Sequence, residues 1–253
     1  MNNNDKIMFN LKFVSSHIIA YIDFLGTKSI LKSNSQNRAI ASYRFIYSAI
    51  VDTLDKMNEE NISGKEKIKY KIFSDNVIFA IEYTETTFIQ NAITLLSFVS
   101  VFQYLVVSEW GLLLRGGVCI GDLYIDDNFV LGSGLITAYE IENKLSIYPR
   151  IVVDNDIIKR FNRLTVFPYC LLENDNLFYL NYLQCTKDNL SKHYRQIFNK
   201  SKDIVNPQVK QKFDWVKRYH NKIADRLGDC PVFNDIGPEA LFANNANDTI
   251  NKN

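Results

Sequence analysis

Lys69-Tyr70-Lys71-Ile72-Phe73-Ser74-Asp75-Asn76-Val77-Ile78-Phe79-Ala80-Ile81 sets two runs of strand-forming residues on either side of three polar ones. Ser, Asp and Asn side chains bond their own backbone and favour tight turns, so the stretch is predicted to be a β-hairpin with Asp75 at its tip. Aromatic and β-branched residues in both arms agree with that reading. A carboxylate at the end of two strands is held by rigid elements while facing solvent, which suits a metal ligand or a general base. An ordinary turn aspartate is the alternative.

Asp23 is the possible partner. In Ile18-Ile19-Ala20-Tyr21-Ile22-Asp23-Phe24-Leu25-Gly26 an apolar strand runs into a carboxylate and then a glycine, which lets the chain turn sharply or pass close to a ligand. An ionised group among apolar neighbours is costly unless it is paired or bound to a cation. Magnesium takes one or two carboxylates together with substrate phosphates, and two-metal sites hold ions about 3.5–4 Å apart around an in-line displacement. Two converging strand-end aspartates therefore point to a metal–nucleotide site, and the residues alone carry the reading no further.

The chain has 253 residues, enough to bury a sizeable core, and a formal net charge of +1. That balance offers no electrostatic footprint for long nucleic acid or for an anionic membrane surface. Cys119, Cys170, Cys185 and Cys230 are scattered without metal-like spacing to His17, His193 or His220, and are read as reduced thiols of a cytoplasmic protein. The polar start of the chain lacks the order of a signal peptide.

Apolar spacing predicts a long amphipathic helix over 37–60 and a second over 88–107, whose inward face is Ala92, Leu95, Leu96, Val99, Phe102 and Val106. One-sided burial is preferred to a membrane span for the second helix, because Gln90, Asn91 and Gln103 interrupt it. Thr27 to Ser33 is predicted to be a short helical turn, with Thr27 and Lys28 either near a phosphate or solvated. Leu112 to Ile120 is predicted to be a strand interrupted by Gly116-Gly117, where the backbone bulges or approaches a neighbour closely. A second short strand and an acidic turn carrying Asp122, Asp126 and Asp127 follow. Arg115 is read either as a phosphate or base contact or as a paired structural cation. Gly132-Ser133-Gly134 opens a helix with apolar face Leu135, Ala138, Ile141 and Leu145, and is either an anion site or a capped loop. Strand 148–153, short helix 155–162, hairpin 170–183 and helices near 187–200 and 207–227 complete the chain. Val209, Phe213, Val216 and Tyr219 form the last helix's apolar face, extended by Trp215.

Four blocks taken in order carry a family resemblance: Tyr21-Ile22-Asp23-Phe24-Leu25-Gly26, Phe73-Ser74-Asp75-Asn76, Leu114-Arg115-Gly116-Gly117-Val118, and Leu131 to Glu142 followed by Tyr148-Pro149-Arg150-Ile151. Their order and spacing resemble the class III nucleotidyl cyclases, in the divergent bacterial branch that includes the pyrimidine cyclases of Pycsar antiphage defence. The resemblance implies an α+β fold with a ferredoxin-like βαββαβ core, a mixed sheet covered by helices, and a C-terminal helical extension. The expected division is a lead-in over 1–15, a catalytic domain over 16–184, the extension over 185–240 and a disordered tail over 241–253. Two copies would meet head to tail, each active site drawing on both.

Residue by residue, the resemblance makes Asp23 and Asp75 the metal-binding aspartates of a site for two Mg²⁺ or Mn²⁺ ions, with the Phe24 carbonyl completing one coordination sphere. Lys71 stands where adenylyl cyclases carry a base-selecting lysine. Two features of purine cyclases are missing: the aspartate expected near Phe129, and an Asn and Arg four apart, which are Ile136 and Glu140 here. Arg115 or Arg150 would then supply the transition-state cation, and Gly132 and Ser133 would bind phosphate. The implied reaction converts UTP or CTP to cUMP or cCMP plus pyrophosphate, as an alarm signal read by a cyclic-nucleotide-sensing effector. A purine cyclase and a catalytically silent nucleotide-binding dimerisation module are the alternatives.

Overall fold

The computed structural model describes residues 14–27, 67–161, 168–183 and 187–237, together with residues 37, 40, 41, 43, 44, 47, 48, 51 and 54. The expected lead-in before residue 14, the turn beyond Thr27, the ends of the 37–60 helix, Cys185 and the 241–253 tail lie outside the described residues.

Strand β1 (Ser15–Phe24) is central, because its side chains are buried on both faces of the sheet. It pairs antiparallel with β3 (Asn76–Glu82) on one side and with β4 (Leu114–Ile125) on the other, while β2 (Lys69–Phe73) completes the predicted hairpin with β3. The resulting order, β2-β3-β1-β4, is that of the ferredoxin-like split βαβ arrangement. β6 (Ile151–Val153) extends the sheet parallel to β4, and the hairpin of β7 (Cys170–Leu172) and β8 (Phe178–Leu180) ends it. β5 (Val130–Leu131) pairs with the far end of β4. The fold is α+β with a mixed sheet, as expected.

Three apolar clusters result. Beneath the sheet, Ile18, Ala20, Ile22 and Phe24 meet Val77, Phe79 and Ile81, and helix α1 (Phe88–Leu105) packs over them. Phe79 meets Phe98 and Phe102 edge-on, with ring centroids 4.9 and 5.3 Å apart. Tyr43 and Tyr47, at helical positions of the earlier segment, stand edge-on to Phe24. All six residues predicted for the inward face of α1 are buried. The stretch Phe88–Trp110, α1 with its terminal π-helical turn, is long and apolar enough to cross a membrane by length and composition, and 67% of its apolar window is buried.

Above the sheet, Ile19, Tyr21, Ile78 and Cys119 meet helix α2 (Ser133–Leu145). Gly117 lies directly under that helix. A Cβ there would run into the Ala138 carbonyl and Ile141, so glycine permits the close approach. The glycine pair does not interrupt the strand: where the sequence predicts a broken strand and a second short one, β4 runs without a break for 12 residues. The face of α2 also differs from expectation. Gly134, Ala138, Ile141 and Glu142 are buried, whereas Leu145 is exposed, because the helix is rotated to seat its small residues on β4.

The third cluster joins Leu113, Leu171 and Tyr179 to helices α4 (Lys187–Ser201) and α5 (Pro207–Leu227), while α3 (Asn155–Arg160) follows β6. Asn206 caps α5 by accepting from the Gln208 and Val209 amides, with Pro207 in the first turn. Val209 is exposed, contrary to its predicted place on the apolar face, and Trp215 is buried between Tyr148 and Tyr179.

Within this cluster lies a fully buried histidine pair. His193 Nδ1 is 3.0 Å from His220 Nδ1, His193 Nε2 is 3.1 Å from the Tyr182 hydroxyl, and His220 Nε2 is 2.9 Å from the Pro231 carbonyl. Only one proton arrangement satisfies the chain with both rings neutral: Tyr182 donates to His193, His193 to His220, and His220 to Pro231. Burial holds both rings below the usual histidine range.

Two outcomes follow. Gly117→Val is expected to cost about 1–3 kcal/mol in a urea titration, through overpacking against α2. The histidines are held neutral in the folded state, so the unfolded chain binds more protons below about pH 6.5. Stability should then be level above that pH and fall below it by up to about 2.7 kcal/mol per pH unit, the slope for two protons, in urea melts at stepped pH.

Candidate functional site

The turn of the β2–β3 hairpin and the end of β1 meet at one pocket. Its walls are Tyr21, Asp23, Phe24, Leu25, Gly26, Thr27, Asp75, Asn76, Arg115, Tyr139, Glu142 and Asn143, around a volume of about 360 Å³. Register explains the convergence, since Asp23 pairs with Asn76 of β3 on one side and Arg115 of β4 on the other. The Phe24 amide donates to the Asp75 carbonyl at 3.0 Å, which ties the hairpin tip to the strand end. Ser74 takes a left-handed φ of 55°, a costly conformation for serine, and its carbonyl accepts from the Tyr47 hydroxyl at 3.0 Å. Gly26, at φ 89°, turns the chain out of the pocket where a side chain would be strained.

Arg115 organises the charge. Its Nε donates to Asp23 Oδ2 at 3.1 Å and stands 2.6 Å from Glu142 Oε1. The second contact is an ion pair without hydrogen-bond alignment, so the buried Glu142 oxygen has no donor among the described residues. Burial raises both carboxylates above their usual range, and the Arg115 guanidinium opposes the rise in each. Asp75 adds to the rise at Asp23, as expected for two anions sharing a pocket. Tyr21 is pushed up to about 12, chiefly by burial and then by Glu142 and Asp23, and its hydroxyl donates to Asn76 Oδ1 at 2.8 Å.

The two predicted metal aspartates thus line one pocket. Their hard oxygens suit Mg²⁺ or Mn²⁺. No group of three metal-ligating side chains gathers among the described residues, so water or substrate oxygens would have to complete any coordination sphere. The Phe24 carbonyl accepts the buried Thr27 hydroxyl at 3.0 Å, which leaves one lone pair for a further partner.

Other candidates lie elsewhere. Gly132 and Ser133 stand at the N-terminus of α2, about 14 Å along the helix from Glu142, and are not in the pocket. Arg150 also stands outside the pocket lining: its side chain is 1% exposed, it is paired with Asp175, and it donates to the Leu145 carbonyl at 3.3 Å, so it fastens the start of β6 to its neighbours. Lys71 lines a separate cavity of about 530 Å³ with Lys69, Tyr70, Asp126 and Asp127. Asp126 is the turn residue expected, accepting from the Asn128 and Phe129 amides at 2.8 and 3.0 Å. Ile136 is exposed, and Glu140 pairs with Lys144 on the outer surface of α2.

Glu142 in the pocket and Lys212 beside it escaped the sequence reading. Glu142 was hidden on a helix face judged apolar. Lys212 comes from α5, beyond the boundary expected for the catalytic domain. It is half-buried, and burial and the neighbouring Arg115 hold its ammonium below the usual lysine range while Asp23 pulls the other way. Leu25 packs on the same cluster as Trp215, so α5 buttresses the pocket.

No family model matches the chain, and no curated protein does. Among solved structures it is similar to a class III adenylyl cyclase-like ATP-binding protein from Pseudomonas aeruginosa, at 9% identity and a TM-score of 0.48, over 69% of this chain and 42% of that one. It is also similar to a bacterial light-regulated adenylyl cyclase, at 13% identity and a TM-score of 0.38, over 81% of this chain and 59% of the other. The chain thus spans less than two thirds of either protein. At such scores neither likeness carries the reading of the pocket, which stands on its own geometry.

Removing Arg115 would strand two desolvated carboxylates. Arg115→Ala is expected to cost about 3 kcal/mol at neutral pH, most of it recovered in the double variant with Glu142→Gln. Glu142 then has a folded-state pKa further above its unfolded one, so the loss should be small below about pH 4.5 and grow as pH rises. Urea titrations from pH 4 to 8 measure it.

Proposed function

We propose that this chain is a nucleotidyl cyclase of the class III type, acting on a nucleoside triphosphate in the Asp23–Asp75 pocket. The observation that carries the reading is the pairing register that brings both aspartates to one opening beside Arg115. Asp23 and Asp75 would hold Mg²⁺ or Mn²⁺, which when bound lowers the pKa of a sugar hydroxyl and offsets phosphate charge. The 3′-oxygen bonds to the α-phosphorus, the bridging bond to the β-phosphate breaks, pyrophosphate leaves with that electron pair, and the hydroxyl proton passes to solvent. Arg115 steadies the charge that develops on the phosphates. Tyr21 stays protonated and holds Asn76, so it takes no proton in this scheme.

The preferred substrate is a pyrimidine triphosphate, UTP or CTP, and support comes from the absence of an aspartate where purine cyclases read the base. A purine substrate is the second reading, favoured by Lys71 in its own cavity. The working unit is a head-to-tail homodimer, in which one copy's Lys71 cavity faces the partner's aspartates. Exposed Phe129, Leu131, Ile136 and Tyr139 beside α2 supply an apolar surface for that contact. In the cell the product would be an alarm signal in the cytoplasm, read by a cyclic-nucleotide-sensing effector during phage infection.

Incubation of the purified chain with all four NTPs in competition and Mn²⁺ should give a cyclic pyrimidine product and pyrophosphate. Product from ATP or GTP alone moves the assignment to the purine reading, and metal-dependent nucleotide binding without pyrophosphate leaves only a silent module. Asp23→Ala and Asp75→Ala should each lower turnover at least about 100-fold, on the scale of losing one main electrostatic stabiliser, while circular dichroism stays unchanged.

A further inference from the structure

Glu142 is the one buried carboxylate of the pocket for which neither the predicted chemistry nor the packing of α2 accounts. Its side chain is 4% exposed, and its Oε1 stands 2.6 Å from Arg115 Nε without a hydrogen-bond donor, because that N–H is directed at Asp23. Arg115 therefore sits between two anions and satisfies one. The carboxylate of Asp23 is also the group a divalent cation would engage. Once Asp23 turns to that cation, the Nε–H loses its acceptor, and the waiting oxygen of Glu142 is already within reach. A carboxylate so buried cannot give up this counter-ion, the one it has among the described residues, without a large desolvation cost, so it holds the guanidinium in place. Arg115 lines the pocket, and its two terminal nitrogens make no hydrogen bond among the described residues, so they keep their donors for a ligand bound there.

We propose that Glu142 is a positioning residue: it retains Arg115 in the pocket when Asp23 is engaged elsewhere, so that the guanidinium meets the substrate phosphates. The arrangement gives the chain a cation inside its own fold at a site where the α2 positions read for a transition-state pair are Ile136 and Glu140. Lys212 adds a second positive group from α5. Arg150 is excluded by its pairing with Asp175. The inference rests on the cyclase reading only for the identity of the ligand; any triphosphate bound through Asp23 would draw on the same contact.

A double-mutant cycle on binding tests it. The full chain, Arg115→Ala, Glu142→Gln and the double variant are titrated calorimetrically with Mn²⁺ alone, then with α,β-methylene analogues of UTP and ATP in Mn²⁺. Glu142→Gln should weaken binding of the preferred analogue about tenfold, and the double variant should be no weaker than Arg115→Ala. Affinity for Mn²⁺ alone should stay within about threefold throughout. Glu142→Asp, too short to reach Nε, serves as a second variant should the glutamine not fold, and should weaken the analogue to the same degree. Independent, multiplicative losses would overturn the proposal, and a tenfold loss of Mn²⁺ affinity in Glu142→Gln would make Glu142 a metal ligand instead. Turnover of natural NTPs is followed in the same preparations. Coupled binding without any cyclic product would overturn the cyclase reading and leave the role of Glu142 standing.

Discussion

The alignment of β1 between β3 and β4 is the constraint from which the rest follows. Side chains of a strand alternate between faces, so Asp23 shares the upper face with Ile19 and Tyr21, while Ile18, Ala20, Ile22 and Phe24 fill the core below. A slip of one residue would drive the carboxylate into the aromatic layer around Phe24 and Phe102 and expose that layer in exchange. Because both faces are covered by helices, the cost of such a slip is borne on two sides. The position of Asp23 opposite Asn76 and Arg115 is thus fixed by hydrophobic burial and not by any ligand.

Charge in the pocket is unbalanced. Asp23, Asp75 and Glu142 line it with three carboxylates and Arg115 with one cation, while the ammonium of Lys212 acts on Asp23 from α5 outside the lining. The surplus anion is tolerated because the opening admits water and because burial lifts Asp23 and Glu142 toward their neutral forms. That is the electrostatic state into which an incoming cation would be drawn. Arg150, far more deeply buried than Arg115, stands in contrast: it faces a single carboxylate, Asp175, and is not shared between two anions.

Most of the architecture could be read from local pattern, since the β2–β3 hairpin, the one-sided α1 and the amphipathic α5 each advertise themselves within a few residues. The same held for Asp23 and Asp75, whose setting of apolar run followed by carboxylate and turn is a short-range signal. What could not be read was relational. Gly116-Gly117 was read as a break in a strand where the backbone bulges or approaches a neighbour closely; the backbone is regular and close approach is what the glycines serve, Gly117 under the helix above and Gly116 against the Tyr21 carbonyl and Ile151. Glu142 lay on a stripe judged by its leucines, although the small residues Gly134 and Ala138 determine which side of α2 goes down. Lys212 was invisible because nothing near it in sequence marks the pocket, and Arg150 looked available because its partner follows in a later hairpin.

The dependence of the pocket on α5 also sets an order of events during synthesis. A nascent chain that has emerged only through β6 possesses both aspartates, Arg115 and Glu142, but neither the seat for Leu25 nor the ammonium of Lys212. Helix α5 closes that side of the opening, so a fragment ending before Pro207 would keep both aspartates, Arg115 and Glu142 but lack the support behind Leu25 and the nearby ammonium of Lys212.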